Sequence, residues 1–386
     1  MVEVMQGSDI WGTVLWFAML FVFMFVYPRM MLSQMLYNLE QSAQRMESMS
    51  EKANALLAKK ADKGGKRKEI DEFTDFFVVE PLGIDPYGLV KKVDQTIRNM
   101  EDRFVDFVDS ITIGKNHEHK QRLNYGLRAA IGLRQISKTV RHFVEMARKF
   151  KNLQIAMILQ MQMPIIEKIA ESELRGAEAF VNGIPVGDSI GPLVAAGYMK
   201  KSRKIGEGVV TDRTEILGRD CFILKAEGPY PNLGREDIAI NAIMKKHRIS
   251  RIVTIDAGQK LEGEKSGSAV EGVGFAMAPV AQRQMLEDTL LTKKIPIDGV
   301  VIKVGMEEAI MPLRRDIYKS VPKARELVER AIERAKRGQK VIIVGVGNTT
   351  GIGNSRKDVE DVGRTVEEVE KIYKKQEAEN KKGGWF

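Results

Sequence analysis

The chain has a single cysteine, Cys221, with only four histidines and three tryptophans in 386 residues. One thiol excludes an intrachain disulfide framework and suits a reducing compartment. Cys221 lies in the apolar run DCFILKAEG, where packing, not nucleophilic attack, is the expected role. His117, His119 and His142 fall in a helical region. The HEH pair has a metal-like spacing but no cysteine or third ligand nearby, so a solvated turn is expected there. No G-K-[ST] phosphate loop occurs. Basic residues are not interleaved with aromatics, so only the net charge of +9 speaks for nucleic acid, and nucleic-acid binding is not expected. What is present is a globular balance, 29% charged and 44% apolar. The charge-rich usage fits a thermophile.

Charge is also missing from residues 10–27, IWGTVLWFAMLFVFMFVY. Eighteen helical residues cover about 27 Å, close to the hydrocarbon thickness of a bilayer. Trp11, Trp16 and Tyr27 are placed to anchor at its interfaces. A cleaved signal peptide would need a basic start and a small-residue cleavage site. Glu3 and Asp9 are acidic, and no such site follows. Membrane lipid is therefore the expected partner of residues 10–27. Arg29, Arg45, Lys52, Lys59, Lys60, Lys63, Lys66, Arg67 and Lys68 follow. By the positive-inside rule they leave the N-terminus outside and the main domain in the cytoplasm, as a single-pass protein of the cell membrane.

The organisation falls into five parts. Residues 1–31 form the anchor. Residues 32–69 form a coiled-coil-like helix and a basic linker: Leu32, Leu36, Leu39, Ala43, Met46, Ser50, Ala53 and Leu57 make a heptad seam, suited either to parallel self-association or to docking on the same chain. The linker KKADKGGKRK reads as a solvated hinge, or as a contact with anionic headgroups. Residues 70–175 form a helical domain. Asp85 is a candidate cap with Pro86 at the first helical position. LQIAMILQMQMPII (153–166) suits a buried or intersubunit helix broken or kinked at Pro164. A homo-oligomer is the expected assembly.

Residues 176–354 change pattern, and 355–386 are a charged helical tail. EAFVNGI, DCFILKAEG, RIVTIDAG, GVVIKVG and KVIIVGVG read as strands alternating with helices. They imply an α/β fold, a three-layer αβα domain with a mostly parallel sheet. Ligands in such folds bind beyond the carboxyl ends of the strands. Asp188, in GIPVGDSIGPL, and Asp256, after RIVTI, are the candidate catalytic pair. Two carboxyls can share a proton to activate water, or can hold a divalent metal together with Glu262, Glu264 or Glu271. Alone, Asp188 could equally cap the helix that begins near Gly191. Gly187, Ser189, Gly258 and Asn348 are candidate ligand-loop residues. The loop GVGNTTGIGN (345–354) has G-x-G-x-x-x-G, one residue longer than the dinucleotide fingerprint, so a tight turn is expected instead.

GIPVGDSIGPLVA resembles the signature of the hydrogenase-maturation-protease and spore-germination-protease superfamily. RIVTIDAG, SGSAVEGVG and IPIDGVVIKVG are similar to the successive strands and loop of the germination branch. The likeness covers about residues 177–312. It implies that Asp188 and Asp256 match the two acidic site positions. The hydrogenase-type site takes a histidine as third metal ligand, and no histidine follows His247. FFVVEPLGIDPYG and KLEGEKSGSAVEGVGFAM resemble an uncharacterised archaeal membrane-anchored family, which implies no activity. Two functions follow as expectations. One is a membrane-anchored cytoplasmic hydrolase, a peptidase with a protein substrate, using the aspartate pair with or without metal. The other is a non-enzymatic homo-oligomeric scaffold or ligand sensor that keeps the fold.

Overall fold

The computed structural model describes residues 6–61, 66–76, 89–274 and 294–383. The expected Asp85–Pro86 helix start and part of the basic linker lie outside the described residues. The chain divides into two compact units: Met1–Lys52 with Gly132–Glu171, and Ala53–Ile131 with Ser172–Phe386.

In the first unit, helix α1 (Gln6–Phe21) passes through one π-helical turn (Val22–Val26) into α2 (Tyr27–Lys60). The apolar part of this rod is long and apolar enough to cross a membrane, and none of that window is buried. Beyond it, Leu39, Ala43, Met46 and Ser50 are buried. The unit also holds residues from α5 (His117–Phe150) and α6 (Leu153–Asn182). On α5, Leu133, Ser137, Val140, Val144 and Ala147 are buried at heptad spacing; on α6, so are Ala156, Leu159, Met163 and Ala170. Three stripes of one period pack as a bundle. Arg141 fixes its register by bonding Glu47 and Glu40, each at 2.7 Å, while Arg148 bonds Glu40 at 2.7 Å. The α2 seam is thus used within the chain; the parallel self-association it could also have served is not what covers it. The expected break at Pro164 does not occur either. Pro164 lies inside a continuous α6, on its exposed side, where the carbonyl that loses its donor can face water.

The second unit is built on a seven-stranded sheet in the order β1-β2-β3-β7-β4-β6-β5. Its strands are β1 (Arg203–Gly206), β2 (Val209–Ile216), β3 (Arg219–Ala226), β4 (Ile249–Gln259), β5 (Ala269–Val273), β6 (Ile297–Val304) and β7 (Lys340–Gly345). The central four, β3-β7-β4-β6, are parallel; β1, β2 and β5 complete the edges antiparallel. Parallel strands buried on both faces must be apolar almost throughout, which is why VIIVG and RIVTI carry no alternation. Val253, Ile255, Ile302 and Ile343 share one core with α7 (Ile190–Ala196) and α11 (Val321–Glu333), which follows the short α9 (Met306–Ile310) and α10 (Arg315–Tyr318). Phe222, Ile252, Ile342 and Val344 share the other with α8 (Glu236–Lys246). This is the expected three-layer αβα arrangement. The remaining described helices are α3 (Arg67–Phe76), α4 (Leu89–Ile111) and α12 (Val362–Gly383).

Two local expectations fail. EAFVNGI is not a strand: it completes α6, where Ala177, Ala179, Phe180 and Val181 are buried on one helix. Gly183 ends that helix with φ +69°, and the Ile184 amide bonds back to the Ala179 carbonyl at 2.9 Å. SGSAVEGVG is not only a loop, because AVEGV forms edge strand β5. The helix α7 lies so close to the sheet that a Cβ on Gly191 would stand 2.2 Å from the Val346 oxygen and 2.5 Å from that of Ile255. Gly191→Ala therefore has to move backbone. We expect a loss on the order of 3 kcal/mol or more, read as a fall in the denaturation midpoint of the full chain. A midpoint equal to wild type would show that α7 is free to shift.

Candidate active site

Asp188 does not stand on a strand end. It sits in the 3-10 turn Gly187–Ser189, directly before α7. The turn is held by backbone pairing with the segment before α10: Gly187 N–H donates to Met311 O at 3.0 Å, and Leu313 N–H to Pro185 O at 2.7 Å. Its other side lies against the loop after β7. A Cβ on Gly347 would fall 2.1 Å from the Asp188 carbonyl, and Gly347 itself has φ +123°. The Asn348 amide donates to the Asp188 carboxylate at 2.8 Å. The turn thus delivers Asp188 to the carboxyl end of the central strand by a route other than the one expected.

Asp256 lies near the carboxyl end of β4, the neighbour of β7, on the face covered by α8. It is 5% exposed. Burial raises its pKa well above the usual carboxylate range, and the charge of Asp188 adds to this. Asp188 is partly exposed as a residue, yet protein packed round its carboxyl also raises its pKa, against the Asn348 amide. The two candidate catalytic residues are brought within electrostatic reach of each other.

A third carboxyl joins them. Glu236, the first residue of α8, is 3% exposed. Its Oε1 is buried with no hydrogen-bond partner among the described residues. Burial, then the charges of Asp237 and Asp188, push its pKa up to about 8. A fourth titratable group, Lys225, stands at the carboxyl end of β3 and is 0% exposed. Its Nζ donates to Ala226 O at 2.7 Å and to Asn354 Oδ1 at 2.9 Å. Burial lowers its pKa to about 7. Neither residue was expected from the sequence. An acid opening a helix looks like an ordinary partner for the helix dipole. The Lys225 signal was available: a lysine inside the apolar run CFILKA has no exposed face to occupy.

The remaining candidates are placed differently. Gly187 is required by packing, since its Cβ would lie 2.1 Å from the Glu308 oxygen. Ser189 is buried, and its hydroxyl accepts from the Val186 amide at 3.2 Å. Asn348 Oδ1 accepts from the Thr350 amide at 2.9 Å. Gly258 continues β4, where its Cβ would meet Val301 at 2.3 Å. Their polar atoms and shapes serve the turn and the sheet. The candidate metal carboxylates do not join the aspartates. Glu264 bonds Lys303 and the Leu261 amide. Glu271, on β5, is held by Arg330 at 2.7 Å and Arg334 at 2.5 Å. Glu262 is exposed on a turn. Basic side chains neutralise Glu264 and Glu271 as ion pairs, so neither needs a cation. Among the described residues, no three His, Cys, Asp or Glu side chains close into a metal-holding group. The divalent metal that was one option for Asp188 and Asp256 thus has no three-residue donor set there among the described residues. Nor do two cavities of the unit coincide with these carboxyls: one of about 240 Å³ is lined by Val105, His117 and Lys120, and one of about 470 Å³ by Arg175, Arg314 and Tyr373.

The arrangement therefore brings three carboxyls within electrostatic reach of one another at the carboxyl ends of parallel strands, a setting in which one carboxyl can hold a proton while another accepts one. Fold and site define a three-layer αβα domain with acids at the carboxyl ends of its parallel strands. The chain belongs to the DUF1512 family: the model described as protein of unknown function (DUF1512) N-terminal domain matches residues 13–183, and that described as domain of unknown function (DUF1512) C-terminal matches residues 186–353. The first thus ends where α6 does, and the second begins two residues before Asp188. No curated protein and no solved structure matches the chain.

The Glu236 carboxyl supplies a pH test. It keeps its proton in the folded chain up to about pH 8, whereas in the unfolded chain it ionises near pH 4.5. Between those values the unfolded state binds fewer protons, so stability from this group is lost as pH rises, at no more than about 1.4 kcal/mol per unit. Glu236→Gln removes that loss. Denaturation midpoints between pH 5 and 8 should fall less steeply for the variant than for wild type. Parallel curves would mean that Glu236 is ionised in the folded chain.

Proposed function

We propose that the protein is a membrane-anchored hydrolase whose water is activated by the Asp188/Asp256 carboxyls without a metal, with Glu236 as a third proton-holding group. The observation that carries the reading is the burial of these acids at the carboxyl ends of the parallel strands, with Asp256 raised by both burial and Asp188. One carboxyl of such a set serves as general base and another as general acid at the same pH. Residues 10–27 hold the chain in the membrane, N-terminus outside, with the main domain in the cytoplasm, as the basic residues after Tyr27 favour. A protein substrate, and so a peptidase, is the finer form of the proposal, supported by the likeness of GIPVGDSIGPLVA to the maturation- and germination-protease signature. Self-association belongs to it as well, with the exposed Met157, Met161 and Ile165 of α6 as its face. Nucleic acid has no part in it.

The scaffold reading has one observation in its favour: Ser189, Asn348 and the Thr349 hydroxyl already have partners within the protein. The full chain incubated with a peptide library, with cleavage read by mass spectrometry, separates the two. Asp256→Asn and Asp188→Asn should each lower cleavage by about 10²–10⁴-fold. A chelator should leave the rate unchanged. Both variants should be at least as stable as wild type above pH 7, since a neutral amide replaces a buried acid. Wild type cleaving no more than the double variant would leave the scaffold as the function.

A further inference from the structure

In the first unit, the turn between α5 and α6 has a position along the bundle that can be calculated. Arg141 bonds Glu40 and Glu47 alike, so it lies level with the middle of that interval, about residue 43 or 44 of α2. Arg148 bonding Glu40 shows that α5 runs antiparallel to α2. Phe150, nine residues beyond Arg141, is then level with about Gln34. Gln34 is seven residues past Tyr27, where the apolar run ends, which is about 11 Å of helix. The headgroup layer outside the hydrocarbon is about 5–8 Å thick. The turn therefore hangs just over the headgroups, within reach of long side chains.

Its composition suits that level. Phe150 is 63% exposed at the tip. Lys149 stacks over its ring at 5.6 Å and is itself exposed, as is Lys151 on the other side. Among the described residues neither lysine has a carboxylate partner, whereas the nearest acids are spoken for: Glu40 by Arg141 and Arg148, and Glu145 by Arg148. The flanking helices carry no acid here. No charge occurs on α2 between Arg29 and Glu40, nor on α6 between Leu153 and Ile166. Lysines beside an exposed aromatic, with acids withheld from the same end of the bundle, match an anionic lipid surface by charge and by amphipathic shape.

We infer that the Lys149–Phe150–Lys151 tip is a second membrane contact, docking on anionic headgroups beside the anchor. The inference rests on the anchor reading of residues 10–27. It holds α2 to one tilt, and it makes attachment depend on lipid charge as well as on the apolar span.

The test uses the full chain carrying Cys221→Ala in lipid nanodiscs. A nitroxide is placed at Phe150→Cys, and at Phe17→Cys as a control within the anchor. Collision with a water-soluble nickel chelate is compared in discs of zwitterionic lipid and discs with one-third phosphatidylglycerol. At position 150 we expect severalfold lower chelate access in the anionic discs, and loss of that difference with Lys149→Glu/Lys151→Glu. Shielding at 17 with equal, high access at 150 in both discs overturns the tip contact alone. High access at both positions overturns the anchor and the tip together. Shielding at 150 that ignores lipid charge but rises with the number of chains per disc overturns the lipid contact and assigns the tip to a second copy.

Discussion

The unit that carries the candidate site depends on one contact: α7 lies against the ends of β4 and β7 with nothing larger than the Ala195 methyl between the backbones. Gly191 faces the carbonyls of Val346 and Ile255. Gly345 in turn faces Ala195 and the Gly191 oxygen, where a Cβ would stand 2.5 and 2.6 Å away. Gly347 repeats the arrangement against Asp188, and Gly187 against Glu308. Glycine is needed at both 191 and 345 because a Cβ at either would stand within about 2.6 Å of atoms already there. This approach carries the turn before α7 to the end of the central strand. Asp188 meets the Asn348 amide because of it.

The electrostatics follow from that closeness. Backbone packed so tightly leaves little room for water, so each carboxyl that enters loses solvation without gaining a full set of donors. Asp188 gains one amide. Asp256 and Glu236 gain the neighbourhood of other acids. Their pKa values rise for one shared cause, burial, reinforced at Asp256 and Glu236 by the charge of Asp188. Lys225 moves the opposite way for the same reason. Acid and amine are thus both pushed toward their neutral forms.

Much of the sheet was legible in the sequence. KVIIVGVG, RIVTIDAG and GVVIKVG are apolar on both faces, and only a covered parallel strand has that need. Asp256 could be placed from its position at the end of such a run. EAFVNGI was misread because its apolar residues suit a helix face or a short strand equally well, and local pattern cannot decide between them. The glycines around Asp188 were legible as glycines but not as contacts, since their reason lies in Val346, Ile255 and Glu308, distant in sequence. Glu262, Glu264 and Glu271 were attractive as metal ligands because acids are easy to see along a chain. The arginines and lysine that bind two of them come from other elements. The α2 heptad was visible, but a seam does not state which helix fills it.

A helix start explains an acid, but not these acids. At the first turn of a helix the ionised carboxylate is the stabilising form, because it meets unpaired amides and the positive end of the dipole. Glu236 opens α8, and Asp188 precedes α7, so both positions favour charge. Burial overrides that preference at both. A serine or asparagine would satisfy the same amides with no buried acid and no orphaned oxygen, whereas Glu236 keeps an Oε1 that none of the described residues satisfies. Asp256 opens no helix at all; it sits near the end of a strand whose neighbours are aliphatic. Three acids buried together, two of them raised further by the charge of Asp188, are poorly accounted for by folding alone. The proton-handling role proposed for them accounts for all three at once.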